Sequence, residues 1–326
     1  MDIRQEKIGH WAASLFPNEE ISIKVASSDA SFRRYFRLTR EMESLIIMDA
    51  PPEHEDIVDF CRIARRFHAL GINVPEILAS DVDSGFVLMS DLGNRHYLDC
   101  LNESNVDELY ADAMRSLVSL QAGTHEDPQF LPPYSEKLLR DEMNLYREWY
   151  LGVHLGVTVS EQEHRIMDDA WDILVRSALE QPQLWVHRDF HSRNLMVTGE
   201  NSPGIIDFQD AVTGPITYDL VSLFKDCYIE WPLDRVENWV LQYQELALQA
   251  GLLEDRDNQR FLRWFHRMGI QRHLKVAGIF ARLYHRDGKD GYLNDIPLTL
   301  HYLVSALAGD PELAALHELV SARIES

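Results

Sequence analysis

The sequence predicts an α+β chain in two lobes: a small strand-rich N-terminal lobe and a large, mostly helical C-terminal lobe. Three observations carry this. A chain of 326 residues is long for one domain, with about 150 residues per domain as the ordinary measure. The first ninety residues hold compact runs of β-branched and aromatic residues around one amphipathic stretch. Beyond Gly93, apolar residues recur at helical spacing.

In chain order, Ile21–Val25, Arg34–Leu38 and Leu45–Met48 read as strands. Asp56–Leu70 places Ile57, Phe60, Cys61, Ala64 and Phe67 on one helical face, and Gly71 stands where a left-handed stop is wanted. Strands follow near Glu76–Ala79 and Phe86–Met89, then a hinge at Ser90–Gly93. Ser104 with Asp107 reads as a capping box ahead of Leu109, Ala113, Leu117 and Leu120. Ser160 with Glu163 reads as a second, ahead of Ile166, Ala170, Ile173, Leu174 and Ala178. Leu195–Val197 and Gly204–Phe208 are short strands joined by the turn Glu200-Asn201-Ser202-Pro203, and the rest is mostly helical. The expected division is residues 1–92 and 93–326, and a cleft between two lobes is a common place for a ligand.

Hydrophobic residues at 45% and charged residues at 26% are ordinary for a globular chain with a sizeable core. Lys+Arg 31 against Asp+Glu 53 leaves a net charge of −22, which argues against nucleic-acid backbones and anionic membranes as partners. Cys61, Cys100 and Cys227 form no CxxC and read as reduced thiols. No signal-like or membrane-spanning apolar run is present, so a cytoplasmic address is expected.

The chemistry is concentrated in His187-Arg188-Asp189-Phe190-His191-Ser192-Arg193-Asn194, which matches H-R-D-x-x-x-x-N, followed thirteen residues after Asn194 by Asp207-Phe208-Gln209. Phosphoryl transfer needs one carboxylate to take the hydroxyl proton and ligands to hold magnesium on the phosphates. Asp189 fits the base; Asn194 and Asp207 fit the metal ligands, since hard oxygens suit Mg²⁺. A transition-metal site on His187 and His191 would need facing nitrogen or sulfur ligands, and no nearby Cys or H-x-x-x-H completes one.

These motifs resemble the aminoglycoside phosphotransferase/choline kinase superfamily, over most of the chain. The resemblance implies a protein-kinase-like two-lobed fold, an antiparallel sheet in the small lobe, and an ATP- and Mg²⁺-dependent phosphotransferase. Ser28–Arg37, Met48-Asp49-Ala50-Pro51-Pro52 and Arg282-Leu283-x-x-Arg286-Asp287-Gly288-Lys289 are similar to bacterial cell-wall-recycling sugar kinases. These phosphorylate the anomeric hydroxyl of N-acetylmuramate and N-acetylglucosamine. The resemblance puts the base on Asp189, the metal ligands on Asn194 and Asp207, and support of the loop on Asp219, with His187 and His191 bracing it. Another alcohol as acceptor (an aminoglycoside, choline or homoserine) and a non-catalytic nucleotide-binding protein stand as alternatives.

Departures from that pattern are informative. No G-x-G-x-x-G or G-x-x-x-x-G-K-[ST] occurs. Ser27–Arg33 occupies the position of the phosphate-covering loop, with Ser31 able to touch phosphate. The third strand, Leu45-Ile46-Ile47-Met48-Asp49, lacks the usual nucleotide-binding lysine. Arg33 or Arg34 is expected to supply that charge, and the role of Glu55 or Asp59 is open. Adenine is expected at Met89, Ser90 and Asp91, with Met48 and Val87 lining its pocket. The sugar is expected beside Asp189, near Arg193, Asp210, Tyr228 and Trp231. A cation from the basic stretch Arg263, Arg267, Arg272, His273, Lys275 and Arg282 would meet an acidic sugar. The expected partners are a small sugar and a nucleotide, with no nucleic acid, no membrane, and a monomeric chain.

Overall fold

A computed structural model describes residues 2–28 and 32–324. The chain forms two compact units, Met1–Asp112 with Asn194–Gln209, and Ala113–Arg193 with Asp210–Ser326.

The first unit is built on a five-stranded antiparallel sheet: β1 (Ile21–Ser28), β2 (Arg34–Arg40), β3 (Glu43–Asp49), β4 (Ile77–Asp81) and β5 (Phe86–Ser90), in the order β1-β2-β3-β5-β4. Register sets the core. Phe36 faces Ile47, Leu38 faces Leu45 and Ile47 faces Leu88, so one side of the sheet is an apolar row. A helix that the sequence pattern did not announce, α1 (Ile3–Leu15), lays Ile8 and Ala12 on that row. Only two of its residues are buried, so its periodicity is weak; Asp2 caps it by accepting from the backbone of Arg4 and Gln5. The expected helix forms as α2 (Ile57–Ala69), with Asp56 as its cap, its predicted face buried, and Gly71 at φ 76°.

The short hairpin β7 (Leu195–Met196) with β8 (Gly204–Ile205) belongs to this unit. Ile205 donates to the Asn73 carbonyl at 2.7 Å and Val197 to the Arg95 carbonyl at 2.8 Å. These long-range bonds are why residues distant in sequence join the N-terminal unit.

The second unit holds most of α4 (Val106–Glu126), then α5 (Glu136–Leu145), a π-helical stretch (Tyr146–His154) and α6 (Glu161–Leu179). After α6 come α7 (Tyr218–Phe224), α8 (Leu233–Gln249), α9 (Asn258–Asp287), α10 (Ile296–Ala308) and α11 (Ala314–Ile324); the short α3 (Tyr97–Cys100) precedes α4 in the first unit. Ser160 and Glu163 form the predicted capping box. The box expected at Ser104 does not form: α4 begins at Val106, and the Ser104 hydroxyl donates to Asn102 at 2.5 Å instead. A two-stranded pair, β6 (Gln183–Val186) with β9 (Val212–Pro215), was not legible from four-residue segments alone. In α9, Gly278 lets the helix approach the Leu145 backbone, where an added Cβ would lie 2.2 Å from the carbonyl carbon.

Candidate active site

In the second unit, β6 delivers residues 187–193 as a loop held at both ends by buried carboxylates. Asp219, in the first turn of α7, accepts the backbone N–H of His187 at 2.7 Å and of Arg188 at 3.0 Å. Asp226 accepts the backbone N–H and the hydroxyl of Ser192, at 2.9 and 2.5 Å, and the backbone N–H of Tyr228 at 3.3 Å. Between them Asp189 donates its backbone N–H to His187 Nδ1 at 3.3 Å. Arg188 has φ 76°, and its guanidinium donates to Glu142 of α5. Glu142 also meets Lys275 Nζ at 3.0 Å and accepts the Tyr134 hydroxyl, while Lys275 donates to Tyr218 Oη at 2.9 Å.

Electrostatics follow from this wiring. Burial works to raise the Asp189 carboxyl, yet Lys275, His191, Arg272 and His187 hold it below its ordinary value. Burial pushes Asp219 up to about 7, against the two N–H donors and with help from the Asp189 charge. Burial lowers His191, whose ring meets Tyr228 edge-on at 5.5 Å.

In the first unit, the β7–β8 hairpin brings Asn194 and Asp207 together. Asn194 Nδ2 lies 3.4 Å from Asp207 Oδ2, and Ile206 donates to the Asn194 carbonyl at 3.1 Å. Asp207 has φ 66°, and Gln209 donates to its other oxygen at 2.8 Å. Phe208 anchors the motif: it is fully buried, stacked on Phe60 at 5.0 Å and edge-on to Phe67 at 6.0 Å. The predicted face of α2 therefore holds the motif as well as the core. The donor set is an amide and a carboxylate. Among the described residues no group of three or more His, Cys, Asp or Glu is placed to hold a metal. Two hard oxygen ligands fit Mg²⁺, which takes few protein groups.

The other expected residues are placed as follows. Ser31 lies outside the described residues. Arg33 donates to Glu55 from Nε and Nη2, at 3.0 and 2.7 Å. Arg34 pairs with the buried Asp49 at 2.5 Å and with Asp2. Met48, Val87 and Met89 are buried in the sheet. The Ser90 hydroxyl accepts from Glu76, and the Asp91 carboxylate is taken by Arg37, Ser44 and the Gly93 N–H. Arg193 stacks on the Tyr228 ring at 3.5 Å, with Asp295 at 3.9 Å. Asp210 is exposed, and Trp231 is buried against Trp239.

On α9, Arg267 is committed to Asp310 and Glu312, His273 to the Lys225 carbonyl, and Lys275 to Glu142. Arg272 is buried, acts electrostatically on Asp189 and Asp226, and keeps an Nη1 without a hydrogen-bond partner. Sequence reasoning missed Glu142, Asp226, Tyr134 and Tyr218. Only Asp226 left a signal, as a second acid seven residues after Asp219 beyond the mostly apolar Leu220–Phe224.

Residues 22–265 match the model of the phosphotransferase enzyme family (APH). The chain is 44% identical to the N-acetylmuramate/N-acetylglucosamine kinase of Pseudomonas aeruginosa, over 98% of this chain and 97% of that protein. It is 41% identical to the enzyme of the same name from Neisseria meningitidis, over 97% and 95%. Among solved structures it resembles the choline kinase LicA of Streptococcus pneumoniae, with TM-score 0.63 and 11% identity, covering 92% of this chain and 99% of that one. It also resembles ADP-bound aminoglycoside phosphotransferase APH(2'')-Ib, with TM-score 0.58 and 14% identity, covering 93% and 98%. These structural likenesses establish the protein-kinase-like fold. With the family match spanning most of its length, the chain belongs to the phosphotransferase enzyme family.

Proposed function

We propose that this chain is an ATP-dependent kinase that phosphorylates the anomeric hydroxyl of N-acetylmuramate and N-acetylglucosamine, in recycling of the cell wall. The observation that carries this is the identity of 41–45% with three relatives bearing that kinase name, across nearly whole chains. Asp189 takes the proton of the acceptor. An anomeric hydroxyl is more acidic than an ordinary alcohol, so a carboxylate held ionised by Lys275 suffices. Asn194 and Asp207 would hold Mg²⁺; when bound, the ion neutralises charge developing on the phosphates. Asp219, with His187 and His191, keeps the Asp189 loop in shape.

Nucleotide recognition is assigned to residues 1–92, with Met48, Met89 and the backbone of Ser90 and Asp91 around the base and Arg33, with Arg34 behind it, toward the phosphates. The acceptor is assigned to residues 93–326. There Arg193 and Tyr228 present a stacked cation and ring, and Arg272 faces the lactyl carboxylate of N-acetylmuramate. Asp210 and Trp231 are assigned to the same acceptor site. A monomer in the cytoplasm is part of this proposal. Separately, no helix among the described residues is long and apolar enough to cross a membrane.

The test is steady-state kinetics on both sugars, with ³¹P NMR to locate the phosphate. Turnover of both, with phosphate on the anomeric oxygen, is the expected result. Phosphate on the 6-hydroxyl, or brisk turnover of choline or an aminoglycoside beside none of either sugar, would overturn the acceptor assignment.

A further inference from the structure

The third strand, Glu43–Asp49, carries no lysine, whereas kinases place there the lysine that pairs with a helix glutamate and binds phosphate. The first unit nevertheless contains a largely shielded cation–carboxylate pair of the same kind, drawn from other elements. Arg33 stands just before β2, and Glu55 just before the cap of α2. The pair is largely shielded, with side-chain exposures of 12% and 15%. Next to it, Phe32 stacks on His54 with ring centroids 4.2 Å apart. Two consecutive residues of the hairpin thus grip two consecutive residues of the turn leading into α2. That turn is itself stiff, because His54 and Glu55 both donate to the Pro51 carbonyl, at 2.9 and 3.0 Å.

The neighbouring arginines are committed elsewhere. Arg34 meets Asp49 and Asp2, Arg37 meets Asp91, and Arg40 meets Glu19 and Glu43. The other acid considered on α2, Asp59, is exposed and pairs with Arg62 one turn on. Arg33 is also within electrostatic reach of Asp207 in the same unit. Glu55, Arg33 and Asp207 thus alternate in charge, like the helix glutamate, strand lysine and metal-binding aspartate of a protein kinase.

We propose that Arg33, held by Glu55 and by the Phe32–His54 stack, replaces the strand-three lysine and binds the β-phosphate side of the nucleotide. A guanidinium has five N–H donors, so one group can serve a carboxylate and phosphate oxygens at once. A lysine has a single ammonium and needs a strand position aimed at the phosphates. The arginine reaches from the hairpin, so the third strand needs no lysine and stays apolar through Ile47 and Met48. Glu55 is a positioning residue, acting through Arg33.

This inference deepens the kinase reading and rests on its nucleotide half alone. The experiment is therefore calorimetric binding of ADP and of AMP to the full chain with no acceptor present. Arg33→Met should weaken ADP about 10–100-fold and leave AMP unchanged, the loss of a charge-assisted phosphate contact. Arg33→Lys should fall between, keeping charge without the fork. Glu55→Gln should weaken ADP more than AMP, a split that a merely structural defect would not produce. Arg40→Gln, in an exposed ion pair at the far end of β2, should bind as the parent does. ADP binding unchanged in Arg33→Met, equal weakening of ADP and AMP, or an Arg40→Gln loss as large as that of Arg33→Met would overturn it. Thermal unfolding confirms that each variant folds; if Arg33→Met does not, Arg33→Lys and Glu55→Gln decide by the same ADP/AMP split. Absence of sugar turnover in the parent would sink the acceptor assignment and leave this result readable.

Discussion

The Asp219 carboxylate accepts the backbone N–H of Arg188 at 3.0 Å, at a residue whose φ is 76°. A non-glycine residue in that region is strained, and a buried acceptor is what keeps it there. The consequence is a pH dependence. Burial raises the Asp219 carboxyl to about 7, so protonation near neutrality weakens its hold on the two N–H groups. kcat should rise with pH through an apparent pKa near 7, and Asp219→Asn should flatten that limb while lowering kcat. The stability sign is the reverse. A carboxyl whose pKa is raised by folding favours the fold below the ordinary carboxylate range, and that contribution is lost as pH rises through about 7. Denaturant titrations of parent and variant across this range measure the difference; identical pH profiles would count against the assignment.

Asp189 is held ionised by Lys275, His191 and Arg272 against the effect of burial. Asp189→Asn should retain the fold and most of the nucleotide affinity, and lower kcat by roughly 10²–10⁴, the usual contribution of general acid–base help. Single-turnover rates with saturating nucleotide and sugar check this, and near-parental turnover would remove Asp189 from the role.

Asp207 lies against Asn194 with its carboxylate steadied by Gln209. Asp207→Ala should abolish turnover at ordinary Mg²⁺, with little recovery at high metal, because the proposed ligand itself is gone. A magnesium titration of variant and parent measures it. Zinc copurifying with the chain, with inactivation on its removal alone, would favour a histidine-centred metal site.

Glu142 is buried between Arg188 and Lys275. Burial works to raise its carboxyl, and those two cations bring it below its ordinary value. Its stabilisation is present above the unfolded-state pKa and lost as pH falls through the folded one. Glu142→Gln leaves the buried Lys275 and the largely shielded Arg188 without their carboxylate and should cost about 3–5 kcal/mol of stability. Urea unfolding at neutral pH reads this directly; a loss under 1 kcal/mol would show the pair to be dispensable.

Arg272 is the member of the basic α9 stretch assigned to the lactyl carboxylate. Arg272→Gln should lower kcat/KM for N-acetylmuramate about 10–150-fold more than for N-acetylglucosamine, in line with about 1.5–3 kcal/mol for a charge-assisted bond. Equal losses on both sugars would instead mark Arg272 as a support of the Asp189 and Asp226 charges.

Local sequence alone determined a good part of this protein. Compact β-branched and aromatic runs beginning at Ile21, Arg34 and Leu45, and helical spacing from Ile57 to Phe67, specified the sheet and α2, because these signals act over a few residues. The motif from His187 to Asn194, with Asp207-Phe208, was legible because phosphoryl transfer demands given residue types at close spacing. Tertiary structure decided the partners. Glu142, Asp226 and Lys275 are far from the loop in sequence, and only helix packing brings their charges to it. Arg33 and Arg34 are equivalent cations on paper. Register places Arg34 opposite Asp49, whereas the turn after Pro51 gives Arg33 to Glu55. The physical reason is range: propensity and periodicity are local, while the pairing of a buried charge is settled by whichever opposite charge the fold brings within about 4 Å.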